Sequence, residues 1–310
     1  MAGAAGAPGG RSGDGVDGVG SVERVFAVVA AAGSGNRLGE VLPKAFVEVD
    51  GRTILERCLD GLAASQAVGH TVVTVSSDML EHTRDLVAAQ SGLWGPMDVS
   101  VVLGGADRAD SVRAGLESVH ALVGDAGQDA GLDGGSACAE LGEVPTGFLV
   151  AVHDAARCLT PPDMIRATVA VAAEGVEDGT WAGVVPVLPV TDTVKVVETV
   201  SGGAVDGAEV IRSTPERRVL RAAQTPQVFA LDRLIAANRM QQAREELDSA
   251  HPTGNPPSDL APAAVTDDSS LMEMAGETVA AVAGDERAFK ITLPEDLERA
   301  HRAVGNGGVA

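Results

Sequence analysis

Aromatic and lysine side chains are scarce in this 310-residue chain, which has five Phe, two Trp and no Tyr. Its only lysines are Lys44, Lys195 and Lys290, and 44 acidic against 23 basic residues give a net charge of −21. A single-stranded nucleic acid would need aromatic side chains for its bases to stack on and a basic groove for its backbone. An anionic membrane surface would repel so acidic a protein. The composition therefore excludes both as partners of the whole chain.

Cysteine is also rare, and long apolar runs are missing. The three cysteines, Cys58, Cys138 and Cys158, are odd in number and have no C-x-x-C spacing, so neither a disulfide framework nor a zinc site is expected. No run of about 18 apolar residues is present, so no membrane-spanning helix is predicted. Residues 1–21 are rich in Gly and Ala and have no apolar signal region, and we expect a disordered tail there. These features predict a cytoplasmic protein.

Short apolar runs alternate with amphipathic stretches along most of the chain. The run VFAVVA at 25–30 is typical of a buried parallel strand, and Leu55, Leu59 and Leu62 have the spacing of a helix face. Further strands are predicted at 71–75, 99–103, 148–152 and 183–187, and helices at 53–67, 78–89 (capped by Asp78), from Asp110 onward and at 162–176. This alternation predicts an α/β fold with a mostly parallel sheet and helices on both faces. We expect one domain over 22–305.

Three segments interrupt the alternation. Residues 124–147 and 249–263 have no hydrophobic period and many Gly or Pro residues, and we expect them to be disordered surface loops. Residues 191–227 instead carry extended, β-branched pieces on either side of Gly202-Gly203, which is a hairpin signal. We therefore predict a β-arm over about 191–227 that projects from the α/β body.

The first strand runs into a glycine-rich loop, AAGSGNRLG at 31–39, which is followed by Pro43 and Lys44. The backbone N–H groups of such a loop bind phosphates without the help of side chains. Leu38 stands where a dinucleotide fingerprint needs glycine, and the Gly-Lys-Ser/Thr of a P-loop is absent. Arg37 and Lys44 would add two cations to a triphosphate site. The alternative is an ordinary strand-to-loop turn of small residues.

A second polar group, His153-Asp154-Ala155-Ala156-Arg157, directly follows the predicted strand at 148–152. In an open parallel sheet, ligands bind at the carboxyl ends of strands, so this group should face the same crevice as the glycine loop. Asp154 is a natural oxygen ligand for Mg²⁺, and Arg157 could bind a second phosphate. The alternatives are that Asp154 caps the next turn and that His153 packs against the sheet, which for His153 we prefer.

Two weaker motifs complete the set. Gly104-Gly105 and Ser111 could let a planar ligand approach and offer a hydroxyl to a base edge, although Asp110 and Ser111 would also serve as helix caps. Lys290 is predicted on a short strand before a helix that begins at Pro294. By itself it could be a solvated charge, but a triphosphate site formed by the other motifs would need such a cation.

In this order, the motifs resemble the 2-C-methyl-D-erythritol 4-phosphate cytidylyltransferase family. The resemblance covers about 22–303 and is carried by AAGSGNRLG…PKAF, GGADRADSV, VHDAARCL, PVTDTVK, TPERRVLRAAQTPQVF, TDDSSLMEMAG and FKITLPEDL. It implies a Rossmann-like nucleotide-diphospho-sugar-transferase fold and a homodimer with swapped arms. It also implies Mg²⁺-dependent transfer of CMP from CTP to the sugar-alcohol phosphate.

The resemblance also implies roles for single residues. CTP would be bound by Ala31, Ala32, Gly33, Gly35, Arg37, Lys44, Gly105, Ser111 and Ala155, with Gly105 and Ser111 selecting cytosine. Asp154 would bind Mg²⁺. The second substrate would be bound by Arg157, Thr193, Arg217 and Thr225, of which Thr193 and Arg217 would come from the partner subunit. Arg37, Lys44 and Lys290 would be catalytic. Cys158 and Ala106 depart from the family pattern at positions without a charge role.

Two other functions fit the same motifs. A ribitol 5-phosphate cytidylyltransferase differs mainly in the arm and the acceptor pocket, where the sequence is least informative. A non-catalytic nucleotide-binding subunit of the same fold has no chemical reason to keep Arg37, Lys44, Asp154 and Lys290 together. A dehydrogenase is disfavoured by Leu38.

Overall fold

The computed structural model describes residues 22–33, 35, 38, 42–129, 144–199, 209–250 and 265–305. The strands are β1 (Val25–Ala30), β2 (Glu48–Val49), β3 (Arg52–Thr53), β4 (His70–Val75), β5 (Asp98–Leu103), β6 (Leu149–Asp154), β7 (Gly183–Pro189), β8 (Val196–Thr199), β9 (Glu209–Ser213), β10 (Arg221–Ala223), β11 (Gln227–Ala230) and β12 (Val279–Ala283). The α-helices are α1 (Ile54–Ser65), α2 (Leu80–Gln90), α3 (Arg108–Asp129), α4 (Pro162–Glu177), α5 (Leu231–Ala250), α6 (Asp268–Met274) and α7 (Pro294–Gly305).

The main sheet is mostly parallel. Strands β6, β1, β4 and β5 lie side by side and run in the same direction. Strand β11 is antiparallel to both β6 and β7, and β7 also pairs with antiparallel β10 and parallel β12. The predicted α/β fold is therefore confirmed. Because β4 lies on one side of β1 and β6 on the other, the strand order reverses at β1, which leaves a crevice at the carboxyl ends of β1 and β6.

Both faces of this sheet are covered by helices, as the sequence predicts. Along β1, Val25, Ala27 and Val29 point into a core that includes buried residues of α1 and α4. Phe26 and Val28 point the other way, into a core that includes buried residues of α3 and α5. This alternation follows from the two-residue period of a strand. The sheet is thus held rigidly from both sides, and its strand ends are fixed in position.

The predicted arm contains a two-stranded antiparallel sheet, with Val197 paired to Ile211 and Thr199 to Glu209. The residues of both strands are exposed, so the hairpin projects from the body. The arm is shorter than expected, because β10 already pairs with the main sheet within 191–227 and β11 of that sheet begins at Gln227. The turn predicted at Gly202-Gly203 lies outside the described residues.

Several boundaries also differ from the prediction. Helix α3 continues to Asp129 and α5 to Ala250, so helix occupies the beginning of both segments expected to be loops. Residues 130–143 and 251–263 of those segments, like the tail at 1–21, lie outside the described residues. Asp78 does not cap α2, which follows Met79 without a side-chain cap. None of the described helices is long and apolar enough to cross a membrane.

Candidate active site

A cavity of about 540 Å³ opens at the carboxyl ends of β1 and β6, where the strand order reverses. Ten residues predicted for the site line it: Ala31, Ala32, Gly33, Gly35, Lys44, Gly105, Ser111, Asp154, Ala155 and Lys290. They come from four separate parts of the chain, which the sheet brings together. Arg37 lies outside the described residues, and the predicted site residues Arg157, Thr193, Arg217 and Thr225 are not in the lining.

The glycine loop is fixed to the core at both ends of its described part. Ala31 N–H donates to Thr74 O at 2.9 Å, and Leu38 is buried in the core beneath the loop. Leu38 is therefore an anchor, which explains why an apolar residue occupies that position. Gly35 has φ +67°, and a Cβ there would lie 2.4 Å from Lys44 Cβ. Glycine at position 35 thus lets the loop lie directly against Lys44.

Lys44 also connects the loop to the segment that carries Lys290. Its Nζ donates to Ile291 O at 2.9 Å, and Ile291 N–H donates to Ala156 O at 2.9 Å. Lys290 therefore stands on a segment held between the loop and the residues that follow β6. That segment has no strand pairing, so the predicted short strand at Lys290 is wrong, whereas the helix beginning at Pro294 is confirmed.

Asp154 is the electrostatic centre of the cavity. Its Oδ1 accepts from Arg108 Nε at 2.9 Å, its Oδ2 lies 2.8 Å from Lys290 Nζ, and Arg157 Nε is 4.0 Å from Oδ2. Burial by itself would raise the pKa of Asp154, but the charges of Arg108 and Lys290 outweigh burial and hold the pKa well below its ordinary value. The carboxylate is thus ionised at neutral pH. Its side chain makes no cap bond to the following turn, so the capping alternative is wrong.

Thr225 and His153 lie beneath Asp154. The Thr225 hydroxyl is 2.7 Å from His153 Nδ1 and accepts from Asp154 N–H at 3.1 Å. Both side chains are buried, so His153 packs within the sheet as preferred from the sequence. Burial lowers the pKa of His153 to about 4, against a smaller opposing effect of the Asp154 charge. The imidazole is therefore neutral, and the pair supports the strand end that presents Asp154.

Arg157 does not line the cavity, and its guanidinium binds backbone carbonyls. Its Nη1 donates to Ala288 O at 2.7 Å, and its Nη2 donates to Ala223 O at 3.2 Å. Gln224 holds the same segment, because its Nε2 donates to Asp285 O and its Oε1 accepts from Asp285 N–H. These contacts fix the backbone that precedes Lys290.

Ser111 is buried, and its hydroxyl has local partners. Its Oγ accepts from Gly105 N–H at 3.1 Å and donates to Asp107 O at 2.7 Å. A Cβ at Gly105 would lie 2.1 Å from Asp110 Cβ, so this turn needs glycine. Helix α3 begins at Arg108, and Asp107 Oδ1 accepts from Asp110 N–H. The cap is therefore Asp107 rather than Asp110 or Ser111.

The predicted acceptor residues of the arm lie apart from this cavity. Thr193 is exposed, and Arg217 Nη1 donates to Thr191 O at 2.5 Å. Arg217 lines a second cavity of about 650 Å³, together with Arg218 and Arg221 at the base of the arm. Within one chain, therefore, neither Thr193 nor Arg217 lies at the cavity that holds Asp154.

An ion pair at the site was not identified from the sequence. Arg108 lines the cavity, and Asp268, at the first position of α6, accepts from Arg108 Nη2 at 2.9 Å. Both belong to motifs noted above, GGADRADSV and TDDSSLMEMAG, but they are 160 positions apart. Sequence spacing gives no signal for such a pair.

The fold and the site define an α/β protein whose cavity, at a topological switch point, presents backbone N–H groups and lysines suited to a phosphorylated ligand. The family model of IspD, 2-C-methyl-D-erythritol 4-phosphate cytidylyltransferase, matches residues 25–129 and 136–306. The chain belongs to this family, as its motifs indicated.

Relatives and solved structures agree with this match. The chain is 48% identical over 285 residues to a 2-C-methyl-D-erythritol 4-phosphate cytidylyltransferase of Corynebacterium jeikeium, covering 91% of this chain and 98% of that protein. It is 41% identical over 283 residues to one of Rhodococcus jostii, covering 91% and 96%. A crystal structure of 4-diphosphocytidyl-2C-methyl-D-erythritol synthase is similar with a TM-score of 0.58 at 26% identity, covering 91% and 98%. The Thermus thermophilus cytidylyltransferase structure gives 0.54 at 25% identity, covering 90% and 98%.

Proposed function

We propose that this protein transfers CMP from CTP to 2-C-methyl-D-erythritol 4-phosphate and releases pyrophosphate, a step in isoprenoid precursor biosynthesis. The family match supports the reaction, and the observation that carries it in the structure is the cavity in which Lys44, Lys290 and Asp154 meet the glycine loop. The names of the relatives favour this acceptor over ribitol 5-phosphate.

The chemistry needs charge neutralisation more than a protein nucleophile. A phosphate oxygen of the acceptor attacks the α-phosphorus of CTP, and the bond to the pyrophosphate oxygen breaks. Both reactants are anions that repel each other, so the protein must hold them in line and offset their charge. Lys44 lies against the glycine loop, and Lys290 lines the same cavity, so both could offset charge on the triphosphate.

The lining suits one magnesium ion brought in with the nucleotide. Asp154 is ionised and lies on the cavity wall, and Mg²⁺ commonly takes one or two carboxylates together with substrate phosphates and water. The described residues contain no cluster of three or more His, Cys, Asp or Glu arranged for a metal, so phosphate and water oxygens would supply the other ligands. When bound, the ion would offset negative charge on the phosphates.

We also propose that the acceptor site is completed by a second copy of the chain. Thr193 and Arg217 lie on or beside the arm and away from the cavity, so they can serve it only from a partner subunit. The arm exposes large apolar side chains that a partner would cover: Val194, Val196, Val197, Val210 and Ile211. The cytoplasm as the compartment stays a prediction, to which the free, buried Cys58 and Cys158 add support.

Pyrophosphate release from CTP tests the proposal. We expect turnover with 2-C-methyl-D-erythritol 4-phosphate, much less with ribitol 5-phosphate, and loss of activity when a chelator removes Mg²⁺. Turnover with ribitol 5-phosphate alone would reject the proposed acceptor, and turnover with neither would favour a non-catalytic subunit.

Two substitutions test the cations. We expect Lys44→Ala and Arg37→Ala each to lower kcat by roughly 10²-fold or more, as for lost transition-state donors elsewhere. Arg84→Ala is the matched control, because Arg84 pairs with Glu81 on the exposed face of α2, away from the cavity. Wild-type kcat in both site variants would contradict their catalytic role.

A further inference from the structure

Arg108 joins two buried carboxylates at the edge of the cavity. Its Nε donates to Asp154 Oδ1 and its Nη2 donates to Asp268 Oδ2, both at 2.9 Å. The carboxylate side chains are only 9% and 7% exposed. Nε and Nη2 form one edge of the planar guanidinium, so the two bonds fix both its position and its orientation.

Asp268 is itself held by the central sheet. It begins α6, and the preceding Asp267 caps that helix by accepting from Ser270 N–H at 2.9 Å. The buried Gln227 on β11 donates to Asp267 Oδ2 at 2.7 Å and accepts from Ser269 N–H at 3.1 Å. The Gln227 side chain therefore forms hydrogen bonds to the residues on both sides of Asp268. The support for Arg108 is a built feature of the fold rather than a surface ion pair.

The bond to Arg108 determines how Asp154 faces the cavity. Because Oδ1 is occupied by Arg108, Oδ2 is directed to Lys290, whose Nζ lies 2.8 Å away. Lys290 is 41% exposed on the cavity side and is anchored at its charged end by this contact. A free Asp154 carboxylate could rotate about its side-chain torsions and would then no longer set the place of the Lys290 ammonium group.

We propose that Arg108 and Asp268 are positioning residues that orient Asp154 and, through it, Lys290 for the transfer reaction. The proposal rests on the proposed function, since it concerns the same site. Arg108 acts through Asp154, and Asp268 acts through Arg108. Lysine cannot replace Arg108, because one ammonium group lacks the rigid fork that binds two carboxylates at fixed angles.

Steady-state kinetics of Arg108→Lys and Asp268→Asn test this assignment. We expect kcat to fall about 10- to 100-fold in each, the usual loss when a group that orients an active-site ligand is removed. We expect KM for CTP to change much less, because Lys44 and the glycine loop are untouched. Arg113→Gln is the matched control, since Arg113 lies on the same helix, pairs with Asp110 and does not line the cavity.

A double-variant cycle separates positioning from general damage. If Arg108 acts through Asp154, Arg108→Lys should cost little further kcat once Asp154→Asn is present. Losses that multiply, or a wild-type kcat in Arg108→Lys, would overturn the proposal. Should Asp268→Asn fail to fold, the Arg108→Lys cycle alone decides. An inactive wild-type protein in the same assay would instead reject the proposed function.

Discussion

Stability of this protein should depend on one buried histidine beneath the site. His153 is 1% exposed, and burial lowers its pKa from 6.5 to about 4. The unfolded chain takes up a proton on this ring as the pH falls through about 6.5, whereas the folded protein does so only near pH 4. Between these values the unfolded state binds more protons, so the free energy of unfolding falls as the pH falls.

The size of the effect follows from the two pKa values. With 6.5 in the unfolded chain and about 4 in the folded protein, lowering the pH from about 7.5 to about 5 removes about 2 kcal/mol of stability. Over the whole interval the loss approaches about 3 kcal/mol. Such a loss is a large fraction of the stability of an ordinary domain.

Urea denaturation of the wild type and of His153→Gln at both pH values measures this contribution. Glutamine keeps a hydrogen-bonding group near Thr225 but does not titrate. The variant should therefore lose about 2 kcal/mol less than the wild type between the two pH values. Burial raises the pKa of Asp268, which acts in the opposite sense, but this effect is common to both proteins and cancels in the difference. His301→Gln, which removes an exposed imidazole, is the control, and equal pH dependence in wild type and His153→Gln would refute the reasoning.

Two further predictions concern helices that support the sheet. In Gly175→Ala the new Cβ would lie 1.7 Å from Trp181 Nε1, so we expect the free energy of unfolding to fall by about 1–3 kcal/mol. Gly124 is a helix glycine with open space around it, so Gly124→Ala should be neutral or stabilising. Equal urea midpoints for the two variants would contradict this. Thr53 and Glu56 form a reciprocal capping box at the start of α1, so Thr53→Ala should cost about 1 kcal/mol and Thr53→Ser much less. Urea midpoints measure this difference, and an equal cost in both variants would count against the cap.

The sequence predicts elements well where a side-chain pattern reports a local environment. The continuous apolar run of β1 and the leucine spacing of α1 both indicate buried side chains. Both elements begin and end within two residues of the predicted bounds. The glycine loop and Lys44 were predictable for a related reason. Both stand at short offsets after the first strand, so their place at the cavity is visible in the sequence.

Contacts between distant segments were not predictable in the same way. The sequence indicates that Asp154 follows a strand, but it does not show that Arg108 and Lys290 occupy its two oxygens. The same holds for Thr225, whose role at the acceptor site stays a prediction and whose contact with His153 the sequence does not show. Spacing along the chain indicates which face of an element a residue occupies, and only the packed sheet determines its partner.

The strong negative charge of the chain is compatible with anionic substrates because the site's own groups set its local potential. Charges more than about 8 Å apart are largely screened at physiological ionic strength, so most of the acidic surface has little effect inside the cavity. Lys44 and Lys290, two of only three lysines, line that cavity, and Lys44 is bonded to the carbonyl of the residue after Lys290. Arg108 is already paired with two carboxylates, so it fixes geometry. Because both lysines line the cavity, substituting them should affect turnover more than changing a surface arginine such as Arg84.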